Sequence, residues 1–253
     1  MSSALGEVMQ YVKRAQRCQP GWRQKVDKYL SLLLPGHCVL CGLDAPASAI
    51  CPGCRSGLPH CSGGCAVCGL PIEMTGSHAC GACQQSPPPW SAVWAAAWYD
   101  FPVDRLVQQF KFRRKLVAGK VLAGLLRDRL VSQRCPRPDL VAPVPLHAWR
   151  QQRRGFNQAF DMASHVCRDL GLPSPALSLR RKRPTPQQSG LNARQRRVNL
   201  RGAFSWNGPG LAGKRVALVD DVMTTGSTAA ECARVLKRAG AGPVDVWVAA
   251  RAR

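Results

Sequence analysis

The sequence contains no long apolar run, and its opening residues lack the features of an export signal. No stretch approaches the ~20 consecutive apolar residues that a membrane-spanning helix needs. The opening sequence MSSALGEVMQYVKRAQ also has no apolar segment of the kind found in secretory signal peptides. These absences predict a cytoplasmic protein that does not insert into a membrane.

Acidic residues are scarce. The 253 residues include 14 Asp and Glu against 36 Lys and Arg, which gives a net charge of +22, more than solubility alone requires. No carboxylate occurs between Asp169 and Asp220. A surface of this kind would release counterions from a nucleic-acid backbone, although an arginine-favouring genome and solvated basic faces are the alternative explanation. The candidate nucleic-acid residues are Arg180, Arg181, Lys182, Arg183, Arg194 and Arg197.

The chain also lacks the phosphate loop of nucleoside triphosphatases. The string LAGK at residues 211–214 has neither the earlier glycine nor the following Ser or Thr of a GxxxxGK[ST] motif. This absence bears on residues 216–228, VALVDDVMTTGST, because an apolar strand that ends in acids is also typical of a Walker B strand. Without a phosphate loop elsewhere, a nucleoside triphosphatase is disfavoured.

Residues 216–228 instead combine two features that suit a phosphorylated sugar. The hydroxyl-rich turn opens a helix whose unpaired N–H groups and dipole favour a phosphate, and Gly226 allows the backbone to approach an anion closely. Asp220 and Asp221, at the carboxyl end of the strand, can accept hydrogen bonds from a ribose diol or bind a metal ion. The pattern therefore indicates a phosphoribosyl ligand, with a binding loop made of Val222, Met223, Thr224, Thr225, Gly226, Ser227 and Thr228.

These thirteen residues closely resemble the 5-phosphoribosyl-1-pyrophosphate (PRPP) signature of type I phosphoribosyltransferases, in which apolar residues precede two acids and a TTGST-like loop. The resemblance implies that Asp220 and Asp221 bind the ribose hydroxyls. It also implies that residues 224–228 bind the 5′-phosphate.

Cysteines are concentrated in one segment. Nine of the thirteen fall between Cys38 and Cys83, and eight of these form four CxxC pairs. Because two such pairs complete a tetrahedral Cys₄ site, the segment predicts two structural zinc ions, with a disulfide framework and an iron–sulfur cluster as alternatives. The spacing alone is compatible with sequential and with interleaved pairing, and it leaves Cys61 over. The predicted ligands are Cys38, Cys41, Cys51, Cys54, Cys65, Cys68, Cys80 and Cys83.

Hydrophobic periodicity, the cysteine pairs and a proline run together divide the chain into three parts. Residues 1–36 predict an amphipathic helical segment, residues 37–86 the double zinc ribbon, and residues 90–253 an α/β domain that follows a proline linker. The repeated order of strand, loop and helix in the last part predicts a parallel sheet. Strands are expected at 91–99, 139–144, 215–220 and 244–249, and helices at 104–130, with a break near 113–116, at 156–170 and at 229–239.

The cysteine pairs, the string VPLHAWRQQRRGFNQA and the PRPP-like loop together resemble the ComF family of competence-type phosphoribosyltransferases, including its GntX-like branch. The resemblance implies a type I phosphoribosyltransferase fold and a role in DNA uptake and natural transformation. It also implies single-stranded DNA, and DNA-uptake helicase or channel proteins, as partners. Residues 185–201 are the candidate for the flexible hood that covers the sugar in this class. By the same resemblance, the pyrophosphate would lie near Val144, Pro145, Arg153, Arg154 and Asn157.

Two functions are compatible with these features. A phosphoribosyltransferase would displace pyrophosphate from C1 of PRPP, with Mg²⁺ bridging the pyrophosphate and the diol, and with Arg153 and Arg154 neutralising the leaving group. Its catalytic candidates are Asp220, Asp221, Arg153 and Arg154, and the sequence does not identify its acceptor. The alternative is a non-catalytic protein that uses the same fold and its basic surface to bind single-stranded DNA.

Overall fold

The computed structural model describes residues 36–45, 49–72, 79–146, 154–183 and 200–253. Its internal contacts divide the chain into two compact units, Met1–Cys51 and Pro52–Arg253. The predicted N-terminal helical segment lies outside the described residues except for Gly36. That segment and the predicted domain boundaries therefore stay predictions.

The described part of the first unit is a tight turn around the first CxxC pair. The N–H of Cys38 donates to the carbonyl of Leu43 at 2.7 Å, and the N–H of Gly42 donates to the carbonyl of Cys38 at 2.9 Å. His37 and Asp44 form an isolated antiparallel bridge beside the turn. These backbone bonds hold Cys38 and Cys41 at the two ends of one loop.

All helices and strands of the described residues lie in the second unit. In chain order they are α1 (Pro52–Ser56), α2 (Gly81–Gln85), β1 (Ala92–Trp98), α3 (Val103–Arg113), α4 (Leu116–Ser132), β2 (Leu140–Pro143), α5 (Gln158–Asp169), β3 (Leu179–Arg181), β4 (Phe204–Trp206), β5 (Val216–Met223), α6 (Ser227–Arg238) and β6 (Val244–Arg251).

Four strands form one parallel sheet in the order β1–β6–β5–β2, which confirms the predicted α/β class. All eight residues of β6 are buried, as expected for an interior strand of a parallel sheet covered on both faces. Strand β5 continues beyond the expected end at Asp220, because its pairing with β6 extends to Met223 opposite Arg251. Both acids of the PRPP-like motif therefore lie within the hydrogen-bonded strand rather than in the loop that follows it.

The long helical segment after β1 is interrupted where the sequence predicted a break. Helix α3 ends at Arg113, Arg114 adopts a left-handed backbone with φ of 52°, and α4 begins at Leu116. The two helices pack closely because residue 119 is glycine: a Cβ at Gly119 would lie 2.4 Å from the ring of Phe110. Phe110 is fully buried, and the next residue of α3 is Lys111.

Strands β3 and β4 form a separate antiparallel pair that the sequence analysis did not predict. Arg181 pairs with Phe204, and Leu179 pairs with Trp206. Each strand has only three residues, which is too short for a visible alternation of apolar and polar positions. Among the residues that the structure describes, no helix is both long enough and apolar enough to cross a bilayer.

Candidate functional site

A cavity of about 290 Å³ opens where β2 and β5 end. In open parallel sheets, ligands bind in the crevice beyond the carboxyl ends of the strands. The structure brings the loops after these two strands together, although they are distant in sequence. Of the residues predicted for the site, those that line the cavity are Val144, Pro145, Arg154, Asn157, Asp220, Asp221, Val222, Met223, Thr224, Thr225, Gly226, Ser227 and Thr228.

The candidate phosphate loop connects β5 to α6. Gly226, at the N-cap of α6, has a φ of 75° and no side chain to cap the helix. The Thr225 hydroxyl lies 2.9 Å from the Ser227 hydroxyl and also accepts the Ser227 N–H at 3.4 Å. The loop therefore places two hydroxyls and the N-terminus of a twelve-residue helix at the cavity wall, an arrangement that favours an anion.

Asp220 and Asp221 line the same cavity. The side chain of Asp221 is 8% exposed, and its Oδ1 lies 3.0 Å from Nζ of Lys111. Asp220 is half-buried, and its Oδ1 accepts the N–H of Asp221 at 2.9 Å. Burial, followed by the negative charge of Asp221, raises the pKa of Asp220 to about 7, although Lys111 opposes the shift. Near neutral pH the carboxyl of Asp220 can therefore carry a proton.

Lys111 lines the cavity but was not predicted as a site residue. Its neighbours in QFKFRRK include Arg113 and Lys115, and nothing local distinguishes Lys111 from them. The difference arises from packing: Lys111 follows the buried Phe110, whereas Arg113 and Lys115 are exposed. Only the tertiary fold brings its ammonium to Asp221.

Gln158 is a second cavity residue that the sequence analysis missed. Its side chain is 1% exposed, and its Oε1 accepts a hydrogen bond from Arg154 at 3.2 Å. Its Nε2 has no partner among the described residues. Since a buried amide N–H without an acceptor is costly, a ligand oxygen at this position would satisfy it. The RRGFNQA string contained Gln158 but gave no reason to prefer it over its neighbours.

Asn157 holds the loop after β2 in place. It is the N-cap of α5, where its Oδ1 accepts the N–H of Ala159 at 3.1 Å. Its Nδ2 donates to the carbonyl of Val144 at 3.1 Å. Because both ends of the amide are already hydrogen-bonded, Asn157 positions Val144 and the start of α5 at the cavity.

The basic residues of β3 divide between the cavity and the solvent. Arg181 lines the cavity, with its guanidinium carbon 5.4 Å from the centroid of the Phe204 ring. Arg180 and Lys182, on either side of it, are exposed, as is Arg183. This division follows from the alternation of side chains along a strand.

Several predicted residues lie outside the described part of the chain. They are Arg153 of the pyrophosphate set, Arg194 and Arg197 of the nucleic-acid set, and the candidate hood apart from Leu200 and Arg201. Their proposed roles stay predictions.

The eight predicted zinc ligands form two sets in sequential order, Cys38, Cys41, Cys51 and Cys54, and Cys65, Cys68, Cys80 and Cys83. Within each set the sulfur atoms all lie within 4.8 Å of one another. The distances of 3.7 Å between Cys41 and Cys51 and 3.8 Å between Cys68 and Cys80 match the edge of a tetrahedron with Zn–S bonds of about 2.3 Å. The described cysteines form no disulfide, which contradicts the disulfide alternative.

Within the second set, the sulfur of Cys65 is stabilised as the thiolate that zinc binds. Although burial opposes it, the N–H groups of Cys80 and Cys68 donate to the sulfur of Cys65 and lower its pKa to about 7. Burial raises the pKa of the Cys68 and Cys83 thiols. Cys61 belongs to neither set and is buried, which raises the pKa of its thiol to about 11. The donor sets therefore fit two structural zinc ions and leave Cys61 outside them.

Comparison with known proteins agrees with this architecture. The double zinc ribbon domain family matches residues 29–84. The chain is 38% identical to DNA utilization protein YhgH of Salmonella typhi over 226 residues, which covers 87% of this chain and 99% of that protein. It is 35% identical to Competence protein F of Haemophilus influenzae over 227 residues, 85% of this chain and 97% of that protein.

A more distant relative is Competence protein ComFC of Bacillus subtilis, which is 25% identical over 214 residues, 77% of this chain and 80% of that protein. The two nearer relatives align along almost their whole length, across both the ribbon and the α/β domain. On these similarities, and with its two Cys₄ sets and parallel sheet, the chain belongs to the ComF family.

Proposed function

We propose that the chain binds PRPP or a related phosphoribosyl compound in this cavity, as part of a role in DNA uptake. The observation that carries the proposal is the placement of a helix N-terminus, with glycine at its N-cap, and two carboxylates in the wall of one cavity. The helix N-terminus suits a phosphate, and the carboxylates can accept hydrogen bonds from a vicinal diol. A phosphorylated pentose carries both groups a few bonds apart.

Each cavity residue has a role in this proposal. The loop from Thr224 to Thr228 would hold the 5′-phosphate through backbone N–H groups and hydroxyls. Asp220, in its ionised form, would accept hydrogen bonds from the ribose hydroxyls. Arg154 and the Nε2 of Gln158 would donate to oxygens of the pyrophosphate. Asn157 would act indirectly, by fixing the loop after β2.

The cavity is less suited to a permanently bound Mg²⁺ ion than to an Mg²⁺ ion that enters together with the ligand. Asp221, the more buried acid, already pairs with Lys111. A hard cation favours several oxygen ligands, which a pyrophosphate supplies. We therefore assign Mg²⁺ to the PRPP that enters, with Lys111 rather than a metal neutralising Asp221.

The same site suits a phosphoribosyl transfer. In that reaction the bond between C1 and the pyrophosphate oxygen breaks, and a bond forms between C1 and an acceptor nucleophile. Negative charge then grows on the leaving group, where Arg154 would stabilise it; one well-placed donor in such a position contributes ~3 kcal/mol. The chemistry of the acceptor is not defined by the cavity wall.

The names of the relatives support the broader role. Proteins named for DNA utilization and competence align with nearly the whole chain. We extend this role to the present protein, and with it the expectation that DNA-uptake helicase or channel proteins are partners.

Single-stranded DNA binding is the second candidate function, and the exposed end of α3 favours it. Phe112 is 69% exposed and is followed by the exposed Arg113 and Lys115. An exposed ring among cations can stack on an unpaired base while the cations contact phosphates. Phe204, in contrast, is buried in the core and cannot stack on a base. The exposed Arg180 and Lys182 of the β3 segment would supply further phosphate contacts.

Two substitutions separate the functions. Asp220→Asn should weaken PRPP binding at least tenfold in isothermal titration calorimetry, while the affinity for a single-stranded oligonucleotide changes less than twofold. Arg180→Ala with Lys182→Ala should leave PRPP binding intact, weaken DNA binding and reduce the slope of log K against log salt by roughly 1.4, about 0.7 for each lost phosphate contact.

The wild-type titration decides whether the proposal stands. If PRPP does not bind to the wild-type protein in the presence of Mg²⁺, the cavity is not a phosphoribosyl site. If an oligonucleotide binds and the salt slope of the double variant equals that of the wild type, the surface on β3 is not the DNA site.

A further inference from the structure

A buried arginine joins the second cysteine set to the candidate phosphate loop. Arg251, at the end of β6, is 4% exposed. Its Nε donates to the carbonyl of Cys68 at 2.9 Å, and its Nη1 donates to the carbonyl of Met223 at 3.1 Å. The Nη1 also donates to the carbonyl of Thr224. One guanidinium thus bonds to a predicted zinc ligand and to the first residues of the loop.

A tryptophan makes a second connection between the same two places. The indole N–H of Trp90 donates to the carbonyl of Val67, inside the CxxC turn, at 2.6 Å. The other edge of the ring lies against Gly226, where a Cβ would be 2.9 Å from Cη2 of Trp90. Trp90 itself is 9% exposed. The turn from Cys65 to Cys68 therefore supports the loop at both of its ends, near Thr224 and at Gly226.

Both connections depend on the folded conformation of the same turn. The buried guanidinium of Arg251 bonds to the carbonyl of Cys68, and the indole of Trp90 bonds to the carbonyl of Val67. Because metal binding and folding are coupled in small zinc sites, loss of zinc would unfold the turn that accepts these hydrogen bonds. The loop would then lose both supports.

We infer that Arg251 and Trp90 are positioning residues that make phosphate-loop affinity depend on zinc in the second set, Cys65, Cys68, Cys80 and Cys83. The inference rests on the proposed PRPP site and adds a means of controlling it. Since coupling between two sites is reciprocal, a ligand in the loop must raise the zinc affinity of the second set by the same factor. The first set, which supplies none of these contacts to Met223, Thr224 or Gly226, has no such effect.

The test compares one ligand variant in each set. Cys83→Ser should reduce the zinc content from two ions to one and weaken PRPP binding at least tenfold in calorimetry. Cys41→Ser should lose one zinc ion as well, yet bind PRPP within about twofold of the wild type. Equal PRPP affinity in Cys83→Ser and the wild type would overturn the inference while leaving the proposed function standing. Absence of PRPP binding to the zinc-loaded wild type would overturn the proposed function itself.

Two further variants keep both zinc ions and test the connection directly. Trp90→Phe keeps a smaller aromatic ring and removes the hydrogen bond to Val67, and Arg251→Lys retains the charge with fewer donors. The matched control is Trp206→Phe, which removes an indole bond of 2.8 Å to the carbonyl of Pro209, away from the cavity.

The measured quantity is the rate of zinc release to a colorimetric chelator with and without PRPP. PRPP should slow release of one zinc ion in the wild type and in Trp206→Phe. In Trp90→Phe and Arg251→Lys, PRPP should slow zinc release less than half as much as in the wild type. The slowing should be larger in Arg251→Lys than in Trp90→Phe, because the positive charge remains. A purely structural role would change release equally with and without PRPP, and that outcome contradicts the inference.

Discussion

Lys111 and Asp221 form an ion pair in the wall of the cavity, with Nζ 3.0 Å from Oδ1. Their side chains are 22% and 8% exposed. The two residues come from α3 and β5, so the pair fixes the end of a helix to the strand that carries the acids. Loss of one partner leaves the other charge buried without compensation.

Replacement of Lys111 should therefore destabilise the protein. Lys111→Met should lower the free energy of unfolding by roughly 3 kcal/mol, as expected when one partner of a buried ion pair is removed, and urea denaturation would measure the change. Lys111→Arg should retain most of the stability. The control is Lys214→Met, at an exposed lysine, which should cost less than about 0.5 kcal/mol; equal effects in the two Met variants would contradict a structural role for the pair.

The raised pKa of Asp220 predicts a pH dependence of stability. Its pKa is about 7 in the folded protein, against 3.8 for an ordinary aspartate. Between these values the folded state binds more protons than the unfolded state, so the contribution of Asp220 to the free energy of unfolding falls as the pH rises from about 4 to about 7. Above that window the contribution is constant. Urea denaturation of wild type and Asp220→Asn at several pH values measures it, and a difference that is flat from pH 4 to pH 7 would be incompatible with the shift.

The same ionisation predicts tighter ligand binding at higher pH. If Asp220 accepts hydrogen bonds from ribose hydroxyls, PRPP affinity should rise as the pH increases through about 7. The ligand phosphate also titrates near pH 6, so the informative quantity is the difference between wild type and Asp220→Asn. An identical pH profile for both would remove Asp220 from the diol site.

Gly226 offers a steric test of the loop. Gly226→Ala places a Cβ 2.7 Å from Cε of Met223 and 2.9 Å from Trp90, at a φ of 75°. Gly213 has a similar φ of 69°, but a Cβ there would meet nothing within 4 Å. Gly213→Ala should therefore cost only the ~1 kcal/mol of left-handed strain, whereas Gly226→Ala should cost more and weaken PRPP binding. Thermal denaturation and calorimetry of the pair measure the steric part by difference.

Zinc should hold the N-terminal ribbon together. Native protein should contain two zinc ions per chain by elemental analysis, since the structure provides two Cys₄ sets. Strong chelation should release them and unfold the segments around the CxxC turns, because metal binding and folding are coupled in such small sites. Protein that contains neither zinc nor iron would refute the metal assignment.

The sequence predicted those features of the protein that depend on local pattern. The apolar strands with their following helices and the CxxC pairs were all recognisable, and the parallel sheet and the sequential Cys₄ sets agree with them. Contacts between distant segments were not predictable. Lys111 reaches Asp221 only through the packing of α3, and Gln158 becomes a cavity residue only because α5 begins beside β5.

Local pattern failed in a second way at β3 and β4. The basic run RRKR suggested one exposed surface, yet the strand divides it, and Arg181 turns inward over Phe204. Two three-residue strands leave no periodic signal, so their pairing follows from the fold and not from composition.

The pairing of Arg181 with Phe204 determines which basic residue of this segment faces the cavity. A slip of the strand by one position would turn Arg181 towards the solvent and bring Arg180 or Lys182 inward. Because all three residues are positively charged, the cavity wall would stay cationic after such a slip.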